Sequence, residues 1–230
     1  MCTKINSKYG LISIRLYQEE DEKRILPVFN EVFNVNRTEK HWRWKYKENP
    51  YGGPIVSLAW DKNQLASQFA GYPIKLDIDN NESVDIVHMG DIFTVPEYRN
   101  VGLGRNNLLA KTFWFLEEQC LENKVFVIIG FNTGHSRKLC RRFLEMTIDL
   151  PIFESHLNVD KISKKNILKK LHSITFNYKV SKHIKAGSWA NNIYSNARND
   201  YNWIIKRNQE YLVWRYENNP DFEYMFYVVN

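Results

Sequence analysis

Apolar and polar positions run along this chain with two periods. Residues 11–16 (LISIRL) alternate as a half-buried strand does. Acids at Glu19, Glu20, Asp21 and Glu22 then stand where an opening helical turn favours negative charge, and Ile25, Val28, Phe29, Val32 and Phe33 follow at helical spacing. Residues 55–60 and 65–78 read as strands joined by the turn Asp61-Lys62-Asn63-Gln64, and residues 84–95 as a further strand. Leu109, Phe113, Leu116 and Cys120 recur at steps of four, three and four, which predicts an amphipathic helix. Residues 125–131 (VFVIIGF) form an unbroken apolar run, as a strand buried on both faces should. A helix over 136–144 and a strand over 146–159, bent at Pro151, complete the predicted order. Strands and helices mixed in this way predict an α/β (α+β) fold, with a mixed, mostly antiparallel central sheet flanked by helices.

The stretch 91–109, DIFTVPEYRNVGLGRNNLL, carries the candidate chemistry. Asp91 to Val95 is β-branched and apolar, and Pro96, which cannot donate to a ladder, ends the strand. A turn bearing Gly102 and Gly104 then opens the helix. The first turn of a helix leaves amides unpaired, and glycines let backbone approach an anion closely, so this order can cradle a phosphate, with Arg99 and Arg105 beside it. An ordinary strand-to-helix turn uses the same residues.

The wider segment resembles the acyl-CoA-binding motif of the GNAT N-acetyltransferase superfamily. Val95, Pro96, Tyr98, Arg99, Gly102 and Gly104 carry the likeness, although Pro96 follows Val95 with no residue between. The resemblance implies a GNAT-like fold and acetyl-CoA as donor. Phe93, Thr94 and Val95 would pair with the pantetheine arm, and Asn100, Val101, Leu103 and Arg105 would join Arg99, Gly102 and Gly104 around the pyrophosphate. It also implies that residues 91–95 splay from the 125–131 strand and that an oxyanion-binding amide lies near Thr94 or Val95. Asn132 and Ser136, with Leu139 and Arg142, match the family's second motif and are further cofactor-binding candidates.

That second motif departs from pattern. Cys140 stands where tyrosine is usual, and Leu144-Glu145 replaces Gly-Phe. A thiol of ordinary pKa near ~8.5 is a stronger acid than tyrosine, so Cys140 is a candidate for protonating the departing thiolate; it is equally a small buried helix residue. Asp91 is the nearest acid on the motif strand and the candidate base, with His88 as a lesser helper; a role within the sheet is the alternative.

At 230 residues, 43% hydrophobic and 25% charged, the chain is globular in composition and large enough for one domain and part of another. No apolar run approaches the ~18 residues of a membrane span. The N-terminus lacks a secretory core, and Cys2, Cys120 and Cys140 have no metal-ligand spacing, so a reduced, cytoplasmic protein without a bound metal is expected. The formal charge of +6 permits a polyanionic partner, but no nucleic-acid-binding signature accompanies it; CoA would satisfy it as well. The aromatic segment 41–54 either walls an acceptor pocket or packs a helix onto the sheet.

One motif occurs twice. Trp44-Lys45-Tyr46-Lys47-Glu48-Asn49-Pro50 matches Trp214-Arg215-Tyr216-Glu217-Asn218-Asn219-Pro220, each ahead of a strand-like run. The arrangement resembles tandem GNAT proteins found near bacterial polysaccharide genes. It predicts a GNAT-like domain over 1–159 and, over 160–230, a basic helical connection with the start of a second half. A strand at 224–229 would then pair with the first sheet or with another chain, the latter giving a homodimer. The expected activity is acetyl transfer to a small-molecule amine acceptor, an amino sugar being the first choice. A non-catalytic CoA-binding module is the alternative.

Overall fold

The computed structural model describes residues 2–7, 10–79, 82–131, 134–146 and 179–229. The expected strand over 146–159 and the basic helix after Asp160 fall almost wholly outside these, as does Asn132.

Five antiparallel strands precede the glycine turn. β1 (Cys2–Ser7) and β2 (Gly10–Leu16) form a hairpin; β3 (Ile55–Asp61), β4 (Gln64–Ile78) and β5 (Glu82–Thr94) follow, and β6 (Ile128–Ile129) lies parallel to β5. The order is β1-β2-β3-β4-β5-β6. Sequence pattern missed β1, because Cys2-Thr3-Lys4-Ile5-Asn6-Ser7 is polar and largely exposed; its partner supplies the pairing. On one face sit α1 (Glu22–Phe33) and α2 (Glu39–Tyr46). Ile25, Phe29, Trp42, Trp44 and Tyr46 pack there against Leu58, Tyr72, Ile74 and Phe93. The aromatic segment is therefore mainly core. α3 (Leu108–Glu122) covers the other face through Leu108, Phe113, Leu116 and Cys120, and α4 (Gly134–Phe143) adds Cys140 to the same cluster.

The 125–131 run departs from expectation. Only Ile128 and Ile129 pair with β5, while Phe126 and Phe131 are 74% and 68% exposed. The described ladder stops at the His88–Ile129 rung.

The repeated motif is a repeated structure. α5 (Trp189–Arg198) is followed by β8 (Trp203–Ile205), which pairs with the far end of β4, and by α6 (Gln209–Leu212), which continues as a wider turn over Val213–Glu217. Thr38 caps α2 by accepting from the His41 amide, and Asn208 caps α6 by accepting from Tyr211. Both helices close on a five-residue step, Glu48 N–H to Arg43 and Asn218 N–H to Val213, each 2.9 Å. Asn49 then accepts from the Tyr51 amide as Asn219 does from Asp221. β2 and β3 bracket α1 and α2 as an antiparallel pair; β7 (Val180–His183) and β9 (Phe226–Val229) bracket α5 and α6 likewise. The C-terminal strand thus pairs with β7 and not with the first sheet.

The two copies also meet. Trp44 Nε1–H donates to the Trp214 carbonyl at 2.6 Å and Trp214 Nε1–H to the Trp44 carbonyl at 2.8 Å, a reciprocal pair between residues 170 apart, with rings 6.0 Å apart. Trp214→Phe keeps an aromatic ring but removes the indole N–H, one donor of a buried pair, with some packing volume. Urea unfolding should show a loss of about 1–2 kcal/mol. An unchanged midpoint would mean that the reciprocal bonds add nothing to ring packing.

Candidate active site

A bulge organises the site. Gln68 faces Phe93 and Ala70 faces Gly90, so Phe69 opposes both Asp91 and Ile92. The extra residue, Asp91, takes a left-handed backbone (φ 58°), which aspartate tolerates better than most residues. Its side chain is held from the helical layer: Lys45 Nζ lies 2.9 Å from Oδ2, Tyr46 OH donates to Oδ2 at 2.7 Å, and Arg37 pairs with the same oxygen. Gln68 Nε2 donates to the Asp91 carbonyl at 2.8 Å.

Burial works against the Asp91 charge, but Lys45 and Arg37 outweigh it and lower its pKa to about 2. Lys45 is itself lowered by desolvation, which Asp91 opposes. A carboxylate so stabilised is ionised at neutral pH and binds protons weakly, which argues for holding the bulge over taking a proton. His88, on β5, meets Tyr72 OH through Nδ1 at 2.6 Å and is lowered to about 4, chiefly by burial.

Past the His88–Ile129 rung, Met89, Gly90, Asp91 and Ile92 on one side and Gly130 and Phe131 on the other border a cleft of 630 Å³. Phe29, Phe33, Arg37 and His41 wall it from the helical layer, and Asp221 reaches it from the second repeat copy. His41 Nδ1 pairs with the Asp221 carboxylate. Sequence reasoning had no means of finding this pair, since its members lie 180 residues apart.

The glycine turn lies at the end of the same strand. Thr94 Oγ1 bonds Ser67 Oγ at 2.9 Å, and the Val95 amide donates to the Ala66 carbonyl at 3.0 Å, which leaves Val95 N–H unavailable as an oxyanion donor. Tyr98 is buried, with its hydroxyl 3.0 Å from Asp61. Val101 is buried and accepts from the Leu108 amide. Asn107 caps α3 by accepting from Ala110 at 2.8 Å. Among the described residues, the amides of Gly102, Leu103, Gly104 and Arg105 donate to no protein acceptor. Gly102 (φ 74°) has no room for a side chain, since a Cβ would sit 1.9 Å from the Asn106 carbonyl oxygen. Asn100 is exposed; Arg99 Nε donates to the Thr94 carbonyl at 3.2 Å, and Arg105 pairs with Glu145. Both arginines lie at the rim of the turn. Phe93 is buried in the core behind the bulge.

Ser136 lies in α4, close to the start of the helix. Cys140 is buried among Phe69, Phe113 and Leu144, and burial raises its pKa. Among the described residues no helix is long and apolar enough to cross a membrane.

Residues 13–139 match the family model described as the acetyltransferase (GNAT) domain. That is more than half of the chain, and the protein belongs to the GNAT acetyltransferase family. It is a member of the class that moves acetyl groups from acetyl-CoA. Among solved structures it is similar to glucosamine-6-phosphate N-acetyltransferase from Arabidopsis thaliana (13% identity, 64% of this chain and 99% of that one, TM-score 0.48). It is similar also to a predicted acetyltransferase with acetyl-CoA from Clostridium acetobutylicum (12% identity, 66% and 98% of the two chains, TM-score 0.49). A third is an aminoglycoside acetyltransferase from an uncultured soil metagenomic sample, in complex with sisomicin (13% identity, 64% and 96%, TM-score 0.49). Likeness at this level says nothing about the acceptor. No curated protein matches the chain in sequence.

Proposed function

We propose that this protein transfers acetyl from acetyl-CoA to a primary amine on a small acceptor, by direct attack within a ternary complex. The observation that carries the reading is continuity: the unpaired turn amides, the stretch of β5 beyond its last rung with β6, and the cleft adjoin one another. The amides of Gly102, Leu103, Gly104 and Arg105 would hold the pyrophosphate, with Arg99 and Arg105 screening its outer charge. The pantetheine arm would run along β5 beyond its last rung with β6, which brings the thioester to the cleft. The acceptor would enter among Phe29, Phe33 and Arg37. Aromatic walls beside a fixed cation and a carboxylate suit a polar ring bearing an amine, so an amino sugar is the acceptor class we favour.

Asp91 has a positioning role in this reading. By fixing the bulge it would shape the end of β5 beside the cleft, along which the donor chain would lie. Cys140 is an apolar-cluster residue, and the departing thiolate takes its proton from the reacting amine or from water. Its burial also lends weight to the rival reading, a CoA-binding module without turnover.

Calorimetry with acetyl-CoA, followed by thiol release in the presence of amines, tests both. Binding in the micromolar range with amine-dependent thiol release is the expected result. Binding without turnover would support the non-catalytic module, and no binding would sink the reading altogether.

A further inference from the structure

We propose that His41 is the proton acceptor for the incoming amine and that Asp221, delivered by the second repeat copy, orients it. The inference rests on the acetyltransferase reading above.

His41 stands in the first turn of α2, next to Thr38, whose side-chain oxygen accepts its amide at 3.1 Å. The ring packs edge-on against Trp44 at 5.1 Å, and Arg215 lies over that tryptophan at 5.3 Å. Nδ1 meets the Asp221 carboxylate. Asp221 is fixed in turn: Asn219 Oδ1 accepts from the amides of Asp221 and Phe222 at 3.0 and 3.1 Å. With Nδ1–H donating to Asp221, the lone pair of the neutral ring lies on Nε2, which makes no hydrogen bond to any described residue. Both side chains line the cleft. A base whose distal nitrogen is held by a carboxylate is the arrangement by which an imidazole is kept in one tautomer and its cation supported.

The surrounding charges suit the task. Burial lowers the affinity of the ring for a proton most, Asp221 opposes that, Arg37 and Lys45 add to it, and the balance lies below the ordinary histidine value. Asp91 partly offsets those two cations. The ring is then neutral at physiological pH and ready to accept a proton, whereas an amine arrives as an ammonium ion. Asp91, at about 2, and His88, at about 4, are weaker bases.

The step balances as follows. The ammonium gives one proton to His41 Nε2, and the freed lone pair attacks the acetyl carbonyl carbon. The C–S bond breaks, and the second proton lost from nitrogen goes to the departing sulfur. The imidazolium returns its proton to water. One amide and one thiol form, and one proton is released.

This assignment also gives the repeat a use. The C-terminal copy turns its Asn-Pro turn toward the first copy and so places Asp221 at the cleft. The reciprocal contact is not its chemical equal: Tyr51, the counterpart of Asp221, bonds Asn208 at 3.1 Å. Only one of the two related positions carries an acid facing a histidine.

The test uses the full chain with acetyl-CoA and three probe amines, ethanolamine, glucosamine and spermidine, each read as thiol release across pH. For the wild type, kcat/KM should rise through a group titrating below pH ~6.5. His41→Gln should lose that limb and fall about 10²-fold in kcat, with acetyl-CoA affinity unchanged. Its residual rate should climb with pH toward the amine's own pKa. Asp221→Asn, on an exposed bend, should fold normally, fall about 10-fold and titrate lower still. Added imidazole should restore part of the rate to His41→Ala, which a merely structural role would not allow. Independently of turnover, nitrogen-15 NMR of the ligand-free protein should show the His41 ring as its Nδ1–H tautomer and Asp221→Asn should weaken that preference. A wild-type rate and pH profile in His41→Gln would overturn the proposal. So would a His41 ring carrying its proton on Nε2, or silence of the wild type with all three amines while acetyl-CoA still binds. Loss of acetyl-CoA binding in the wild type would instead remove the reading beneath it.

Discussion

Asp91→Asn is expected to destabilise the protein by about 3 kcal/mol at neutral pH, as read from urea unfolding. The figure is the lower end of the ~3–5 kcal/mol typical of breaking a buried ion pair, and its sign agrees with the lowered pKa of Asp91. Asparagine keeps the shape and the tolerance of a left-handed backbone, so the loss is electrostatic. Two cations, Arg37 and Lys45, would remain buried beside a neutral side chain. Lys45, already lowered by burial, can shed its proton and so limit the cost; Arg37 cannot. The sign with pH follows from the depressed carboxylate. The Asp91 contribution is fully present above pH ~4 and is lost as pH falls through its native value near 2. The variant should therefore lack that part of the acid sensitivity. Asp85→Asn, which breaks a half-exposed pair with Lys75, should cost under ~1 kcal/mol. Equal losses in the two variants would mean that the Asp91 network is no more than a surface pair.

Gly102→Ala should weaken acetyl-CoA binding about 10³-fold, equivalent to about 4 kcal/mol, with the fold retained. The reason is steric and conformational at once. The position needs φ near 74°, and the added Cβ would stand 1.9 Å from the Asn106 carbonyl oxygen, a backbone atom that cannot rotate away. The turn must open, and the amides of Leu103, Gly104 and Arg105 would no longer point as one set. Gly104→Ala is the contrast. Its φ of 55° is unfavourable to alanine by about 1–2 kcal/mol, but no protein atom lies within 4 Å of the new carbon. A Gly102→Ala protein that binds acetyl-CoA normally would remove the turn from the binding site.

Much of this was legible in the sequence for local reasons. The period of two over 11–16 marks a strand, because adjacent side chains of a strand face opposite sides, and the turn Asp61-Lys62-Asn63-Gln64 separates the strands on either side of it. The steps of three and four after Gly104 mark α3, because the helix turns every 3.6 residues. The strand, proline and glycine order of 91–104 gave the family before any contact was known. β1 escaped notice because a polar edge strand has no pattern of its own and is paired into existence by β2. The 125–131 run misled in the opposite direction: its apolar character suggested a deep strand, yet two residues pair and Phe126 and Phe131 stand open.

By itself the sequence determined the elements, the glycine turn, the family and the existence of a repeat, since each depends on residues near one another in the chain. Only the tertiary structure decided what surrounds Asp91 and His41 and that the two repeat copies meet. A carboxylate on a strand reads as a candidate base until Lys45, Tyr46 and Arg37 are seen around it, and those charges set its proton affinity. A histidine in a first helical turn reads as nothing until a turn 180 residues later brings a carboxylate to its ring. Proton affinity depends on the charges and burial around a group, and folding alone brings those together.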